Sequence, residues 1–232
     1  MTAAQCSGTR LFVDQARNNF GDVGAVAPSS PSLARAMVAP LDRYRSQRTV
    51  LEVGAGTGAV TAALIDRLAP GDRLDVVESN GSFAQTLQTV TEVSTMTTRP
   101  QTTVHTTRIE DFRSAVRYDV IVSGLPFTNF TPDEVSVILD SYDALLADGG
   151  SVVYFAYVGT RRLRSVTASR HEAHRHAAVE QLLSDYRQQF DISLTTVWCN
   201  LPPARVFDLR RRRTPPEPLS RSILTRSRPR PL

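Results

Sequence analysis

The chain has 232 residues, 41% of them hydrophobic and 22% charged, which is enough to bury a sizeable core within one domain. No apolar run reaches the ~18 residues of a membrane span, and the N-terminus lacks the basic and apolar segments of a secretion signal. Cys6 and Cys199 are too few for a disulfide framework or a zinc site. We therefore expect a cytoplasmic protein without a metal.

The net charge of +4 is unevenly distributed along the sequence. From Arg210 onward there are eight arginines and one acid, Glu217, so the rest of the chain carries about −3. This balance does not predict a nucleic-acid-binding face on the fold. Residues 213–232, rich in arginine and proline, are predicted to form a disordered tail. Such a tail is able to contact anionic lipid or RNA by charge alone, and a solvated tail without a specific role fits the composition equally well. Contact with lipid would make the protein peripheral to the membrane.

The first part of the chain predicts helices followed by alternating strands and helices. Residues 1–48 form a predicted N-terminal helical segment, with one amphipathic helix over 11–19 and a second that Ser32 caps and that runs through Leu41. The elements that follow are a strand over 49–53, a helix over 58–69, a strand over 73–78 and a helix over 82–92.

The second part continues the alternation. A strand is predicted around 102–106, then a strand over 118–123 and a helix over 132–147 that Thr131-Pro132-Asp133-Glu134 opens. A turn at Asp148-Gly149-Gly150 precedes a strand over 151–158, a helix over 167–190 within a helical cap at about 160–190, and closing strands over 193–199 and 204–210. This order predicts an α/β, doubly wound, seven-stranded sheet over 49–212, mainly parallel with one antiparallel strand near the C-terminus.

Residues Val50 to Gly58, with the sequence Val-Leu-Glu-Val-Gly-Ala-Gly-Thr-Gly, form the most informative segment. An apolar run typical of a buried strand ends in three alternate glycines, Gly54, Gly56 and Gly58, and a helical pattern follows. This strand–glycine loop–helix unit is typical of nucleotide-binding domains, where the helix N-terminus faces the ligand. A P-loop is excluded because it needs a lysine and the chain has none.

Two acids narrow the choice of nucleotide. Glu52 lies two residues before the first glycine, where its carboxylate would disfavour a pyrophosphate and favour a cationic ligand such as S-adenosylmethionine. Glu78 ends the next apolar run, about 20 residues past the loop, the spacing at which a carboxylate can accept the ribose hydroxyls.

This pattern resembles motifs I and II of class I S-adenosylmethionine-dependent methyltransferases, whose fold is a Rossmann-like sheet. The resemblance implies that the cofactor is bound by Glu52, Gly54, Gly56, Gly58 and Glu78. It also implies an acid after the third strand that accepts from the adenine amino group, with an apolar neighbour against the ring. Asp111 and Phe112 fit these roles, although a polar turn with a core phenylalanine fits the spacing equally well.

The end of the fourth strand carries a further resemblance. Ser123-Gly124-Leu125-Pro126 is similar to motif IV of bacterial phospholipid N-methyltransferases, which implies that Ser123 lies at the cofactor site. Residues 24–31 and 200–206 also resemble segments of that family, so the similarity spans about residues 20 to 212. The related rRNA adenine dimethyltransferases have an asparagine in place of Gly124, and the loss of that acceptor for the target amine disfavours RNA methylation.

Methyl transfer depends mainly on positioning two reactants, so no general base is required. The predicted acceptor-side residues are Phe127 and Asn129, which follow the end of the fourth strand, and Tyr157. Aromatic faces can hold a methylated ammonium by cation–π attraction. We expect N-methylation of an amine such as a phosphatidylethanolamine-type headgroup. The alternatives are a small-molecule N- or O-methyltransferase, an rRNA adenine N6-methyltransferase and a protein that binds the cofactor without catalysis.

Overall fold

The computed structural model describes residues 29–44, 47–93, 100–158 and 170–212. The predicted helix 11–19, the tail 213–232 and most of the segment 24–31 lie outside these residues. None of the helices in the described part of the chain has the length and apolarity needed to cross a membrane.

Seven strands form one sheet in the spatial order β3-β2-β1-β4-β5-β7-β6. Neighbouring strands run parallel from β3 to β5, whereas β7 is antiparallel to both β5 and β6. This topology confirms the predicted sheet with one antiparallel strand. The strands are β1 (Thr49–Val53), β2 (Arg73–Glu78), β3 (Gln101–Thr106), β4 (Tyr118–Ser123), β5 (Leu146–Tyr157), β6 (Phe190–Val197) and β7 (Ala204–Arg211).

Helices cover both faces of the sheet, because strands of a parallel sheet are apolar on both sides. Side chains alternate between the faces, so Val50 of β1 packs into one core and its neighbour Leu51 into the other. The helices of the first face are α1 (Pro31–Val38), α2 (Ala59–Arg67) and α3 (Gly81–Val93). Those of the second face are α4 (Pro132–Leu145) and α5 (Arg170–Arg187).

Hydrogen bonds at the helix N-termini test two of the sequence predictions. α4 begins with a capping box in which Thr131 and Glu134 bond each other's backbone N–H groups, as the sequence predicted. The predicted cap of α1 was wrong. Ser30, not Ser32, accepts from the Leu33 N–H, because Pro31 occupies the first helical position and sets its backbone angle. A 3-10 turn over Ala39–Arg43 replaces the end of the predicted helix.

The predicted turn at Asp148-Gly149-Gly150 was also wrong, because these residues lie within β5. Leu146 pairs with Tyr118 and Ser151 with Val120, so four residues of β5 stand opposite one residue of β4. Gly149, with φ of 71°, absorbs this irregularity without ending the strand.

The described part of the predicted cap is α5, which packs on the second face of the sheet. Its buried side chains, Val179, Leu183 and Tyr186, join the core that α4 also covers. None of the α5 residues lines the cleft described below. Residues 160–169 of the predicted cap lie outside the described residues.

Candidate active site

A cleft of about 510 Å³ opens at the carboxyl edge of the parallel strands, where β1 and β4 lie side by side. This is the edge at which ligands bind in open α/β sheets. The lining comes from the loops after four neighbouring strands and from α4: Val53–Thr57, Val77–Asn80, Thr107–Glu110, Gly124–Pro126, Phe130, Glu134, Ile138, Phe155 and Tyr157, with Ser29, Ala59, Val60 and Phe83.

The glycine loop between β1 and α2 forms one wall of the cleft. Gly56 has φ of 53° and Gly58, the N-cap of α2, has φ of 79°, so both positions favour glycine. Nothing lies within 4 Å of where a Cβ of Gly56 would be. The backbone there is therefore exposed to a ligand, and α2 begins directly behind it.

Glu78, at the end of β2, connects the glycine loop to the loop that follows β2. One carboxylate oxygen accepts from the Gly56 N–H at 2.8 Å, and the other accepts from the Asn80 N–H at 2.8 Å. The side chain is buried but lines the cleft. A carboxylate has about four acceptor positions, so Glu78 retains capacity for ligand hydroxyls.

Glu52 lies behind the loop and is not part of the lining. It is 1% exposed, and neither carboxylate oxygen has a hydrogen-bond partner among the described residues. Burial raises the pKa of Glu52 to about 8; nearby Thr61 moderates the rise without reaching hydrogen-bonding geometry, and Glu78 adds to it. Glu52 is therefore a buried carboxyl behind the glycine loop, and it does not contact the space inside the cleft.

The end of β4 meets the glycine loop. The Gly124 N–H donates to the Val53 carbonyl at 2.8 Å, and a Cβ at Gly124 would lie 2.4 Å from the Gly54 carbonyl oxygen. Ser123 is fully buried, and its hydroxyl accepts from Tyr142 at 2.8 Å, so it is outside the lining. A larger residue than glycine would therefore collide with the glycine loop at position 124, whereas Ser123 stabilises the end of β4 from the side of the core.

The turn after β3 places its side chains differently from the sequence expectation. Phe112 is buried against His105, and Asp111 is exposed, so neither lines the cleft. The N–H groups of both donate to the Arg108 carbonyl, which winds the chain so that Ile109 and Glu110 line the cleft instead.

Glu110 is paired with Arg108 at 2.7 Å. Although partial burial pushes the pKa of Glu110 upward, the Arg108 guanidinium outweighs it and holds that pKa below its usual range. Glu110 is therefore an ionised acceptor at the edge of the cleft.

The three predicted acceptor-side residues are separated in the structure. Tyr157 lines the cleft, and its ring packs edge-on against Phe155 with centroids 5.3 Å apart. Phe127 is buried in the core against Tyr154, and Asn129 is exposed outside the lining. The short 3-10 turn Phe127–Asn129 causes this, because it turns Phe127 inward and leaves Asn129 on the surface.

Several lining residues gave no signal in the sequence. Phe130 precedes α4, Ile138 lies in α4 and Phe83 lies in α3. In the sequence, an apolar residue at each of these positions is equally consistent with an ordinary core position. Alternation along β5 could have identified Phe155, since it lies two residues before Tyr157 on the same face.

No family model matches this sequence. The chain is 30% identical over 142 residues to an ornithine lipid N-methyltransferase from Singulisphaera acidiphila, and the match covers 61% of this chain and 73% of that protein.

Many solved structures share the fold, and two of them are described here. One is the N-methyltransferase NodS from Bradyrhizobium japonicum, with a TM-score of 0.56 and 16% identity over 77% of this chain and 93% of that one. The other is the magnesium protoporphyrin IX methyltransferase from Synechocystis with bound S-adenosylhomocysteine, with a TM-score of 0.60 and 15% identity over 88% of this chain and all of that one. The sequence match, the shared topology and the cleft at the glycine loop agree. This chain belongs to the class I S-adenosylmethionine-dependent methyltransferases.

Proposed function

We propose that this methyltransferase methylates the amine of a lipid headgroup of the phosphatidylethanolamine type. The observation that carries the proposal is a single cleft with the glycine loop and Glu78 at one end and the aromatic pair Phe155 and Tyr157 at the other. The similarity to an ornithine lipid N-methyltransferase supports an amine on a lipid as the acceptor.

The cofactor end of the cleft fits S-adenosylmethionine, which supplies an electrophilic methyl group on a sulfonium when bound. We assign the ribose hydroxyls to Glu78, which would bind them while it holds the Gly56 and Asn80 N–H groups. Gly56 would let the ligand approach the backbone, whereas Leu125 fills the space beside Gly54 and Gly58 lies outside the lining. Glu52 keeps its proton up to about pH 8 in the ligand-free protein, and it would lie behind the loop without touching the ligand.

The adenine ring would lie between apolar side chains of the cleft, which are Phe83, Ile109, Phe130 and Ile138. Glu110, rather than the predicted Asp111, presents a carboxylate there that can accept from the adenine amino group. Phe112 supports this turn from the core.

The acceptor end would position a neutral amine and later hold the methylated ammonium. Phe155 and Tyr157 offer aromatic faces, and Leu125 and Pro126 close the same side of the cleft. Burial raises the pKa of Tyr157, so its hydroxyl stays protonated at neutral pH and is not a base. Positioning and the exclusion of water would therefore account for most of the rate.

Transfer of a labelled methyl group tests the proposal. The protein is incubated with methyl-labelled S-adenosylmethionine and a panel of phosphatidylethanolamine, ornithine lipid, soluble amines, catechols and adenine-containing RNA, and products are identified by mass spectrometry. We expect label on the nitrogen of a lipid amine. Label only on a soluble acceptor would favour small-molecule methylation, and cofactor binding without transfer to any acceptor would favour a non-catalytic role.

RNA adenine methylation has less support. The position that would carry the asparagine acceptor is Gly124, and a side chain there would collide with the Gly54 carbonyl. The fold therefore offers no room for that group.

Replacing Tyr157 tests the acceptor end directly. We expect Tyr157→Ala to lower kcat/KM for the amine about tenfold, since a cation–π contact contributes roughly 0.5–2 kcal/mol. Tyr157→Phe keeps the ring and should retain most of the activity. Steady-state rates at fixed cofactor concentration measure the difference, and equal losses in both variants would contradict the aromatic role.

A further inference from the structure

We propose that residues 198–203, which connect β6 to β7 and are called here the hairpin tip, form the surface by which the protein rests on a lipid bilayer. The inference deepens the proposed function, because a lipid amine is presented at a bilayer surface. It concerns residues outside the cleft lining and is tested separately from catalysis.

The hairpin tip exposes two large apolar side chains. Trp198 is 71% exposed and Leu201 is 83% exposed, more than any other large hydrophobic residue in the described part of the chain. Pro202 is also exposed beside them. Tryptophan is enriched at the boundary between lipid and water, where its ring meets both phases. Two large apolar side chains exposed together on one loop differ from the singly scattered apolar residues of an ordinary protein surface.

The hairpin tip is held in place by its own polar groups. Asn200 is 2% exposed, and its side-chain oxygen accepts from the Ser30 N–H at 3.2 Å while its NH₂ donates to the Pro202 carbonyl at 2.7 Å. The Val158 N–H donates to the Pro203 carbonyl at 2.7 Å. These bonds fix the backbone, so the exposure of Trp198 and Leu201 is a property of a fixed loop.

The same bonds place the hairpin tip beside the acceptor end of the cleft. Ala204, the first residue after the tip, pairs with Tyr157 in the sheet, and Tyr157 lines the cleft. Ser29, next to the Ser30 that bonds Asn200, also lines the cleft. A bilayer in contact with the tip would therefore present headgroups near Phe155 and Tyr157.

Charge next to the hairpin tip favours a membrane over an apolar protein partner. Arg205 lies two residues past the tip and is exposed, and no ion pair among the described residues includes it. An apolar tip with an adjacent cation fits a bilayer that contains anionic lipid. The partner that the hairpin tip fits is therefore an anionic bilayer surface, and the experiments below distinguish it from a second copy of the chain or another protein.

The chain has one tryptophan, Trp198, so its intrinsic fluorescence reports on the hairpin tip without any label. The unmodified protein is titrated with vesicles of phosphatidylethanolamine and phosphatidylglycerol, with and without lipids that carry a nitroxide quencher at shallow depth. We expect the emission to shift to shorter wavelength and the quencher to reduce it. Sedimentation with vesicles but unchanged emission would overturn the proposal, as would an absence of binding or a shift caused by self-association alone.

A matched pair of variants locates the surface. Trp198→Ser with Leu201→Ser removes the exposed side chains of the tip, whereas Ile192→Ser with Leu194→Ser removes two side chains on β6 that are 50% and 52% exposed. We expect the tip variant to bind vesicles about tenfold more weakly, because it loses the apolar area that enters the interface. The β6 variant should bind as the wild type does. Equal binding by both variants would refute the assignment.

Activity separates this surface from the proposed function. We expect the tip variant to methylate water-soluble dihexanoyl phosphatidylethanolamine at the wild-type rate and vesicle phosphatidylethanolamine about tenfold more slowly. If wild type methylates neither form, the proposed function fails for this headgroup, while fluorescence and sedimentation still decide the membrane surface. Equal losses on both forms would place the tip in the catalytic machinery and contradict the inference.

Discussion

Gly124→Ala should weaken cofactor binding tenfold or more, whereas a comparable glycine change elsewhere should leave it unchanged. A Cβ at Gly124 would lie 2.4 Å from the Gly54 carbonyl oxygen, which is backbone and has no rotamer to escape to. Gly124 cannot retreat easily, because its N–H donates to Val53 at 2.8 Å. Its φ lies outside the left-handed region, so the effect would come from contact and not from backbone conformation.

The collision must displace either the glycine loop or the end of β4. Overpacking of this kind costs about 1–3 kcal/mol, and we expect much of it to appear as weaker S-adenosylhomocysteine binding, by tenfold or more. Gly81→Ala is the control, since nothing lies within 4 Å of the added atom at the start of α3. Calorimetry measures the affinity for S-adenosylhomocysteine, and denaturant unfolding measures the stability. Wild-type affinity and stability in Gly124→Ala would show that this contact does not shape the site.

Glu52→Gln should change how the stability of the ligand-free protein depends on pH. The unfolded chain loses the Glu52 proton near its ordinary value of 4.5, whereas the folded protein keeps it up to about pH 8. Between these values the folded state binds more protons, so the free energy of unfolding falls as pH rises, by about 1.4 kcal/mol per pH unit. Above pH 8 this contribution stops changing.

Glutamine removes the titration and keeps the shape, so the variant should lose this slope. The stability difference between Glu52→Gln and wild type should therefore grow in favour of the variant from about pH 5 to 8, by on the order of 3 kcal/mol in total. The glutamine amide adds unpaired buried donors that change the stability at every pH. The change of the stability difference with pH is therefore a sharper measure of the Glu52 proton than the difference at one pH. Urea unfolding at pH 5, 6, 7 and 8 measures it, and parallel curves would show that Glu52 does not stay protonated in the folded protein.

Much of the fold follows from local patterns in the sequence. β4 begins and ends where the apolar run Tyr118–Ser123 predicts, and Thr131 with Glu134 marks the start of α4. These predictions succeed because buried parallel strands are continuous apolar runs and because helix caps are decided by adjacent residues. The glycine loop is predictable for the same reason.

The predictions that were wrong concern segments whose conformation depends on contacts with residues that are distant in the sequence. Asp148-Gly149-Gly150 has the composition of a turn, but pairing with β4 occurs on both sides of it, at Leu146 and Ser151, and so it lies within β5. Asp111 and Glu110 are neighbours in sequence, and only the winding of the turn at Arg108 decides that Glu110 lines the cleft. Neither outcome depends on residue type alone.

The acceptor side was the hardest part to predict. Phe127 and Tyr157 are both aromatic and both follow strands, yet one packs into the core and the other lines the cleft. The exposure of Trp198 likewise depends on how Asn200 fixes the hairpin tip. A sequence pattern places such residues at an edge of the sheet but does not say which way the loop turns them.

The cleft that the glycine loop and Glu78 line is the proposed binding site of the methyl donor. Calorimetric titration with S-adenosylhomocysteine, on wild type, Glu78→Ala and Asp111→Ala, tests it most directly. We predict micromolar binding by wild type and by Asp111→Ala, whose changed side chain lies outside the cleft. Glu78→Ala should lose tenfold to over a hundredfold in affinity, because charged hydrogen bonds contribute roughly 1.5–3 kcal/mol and this change frees two loop N–H groups. No binding by wild type, or equal affinity in all three proteins, would contradict the claim.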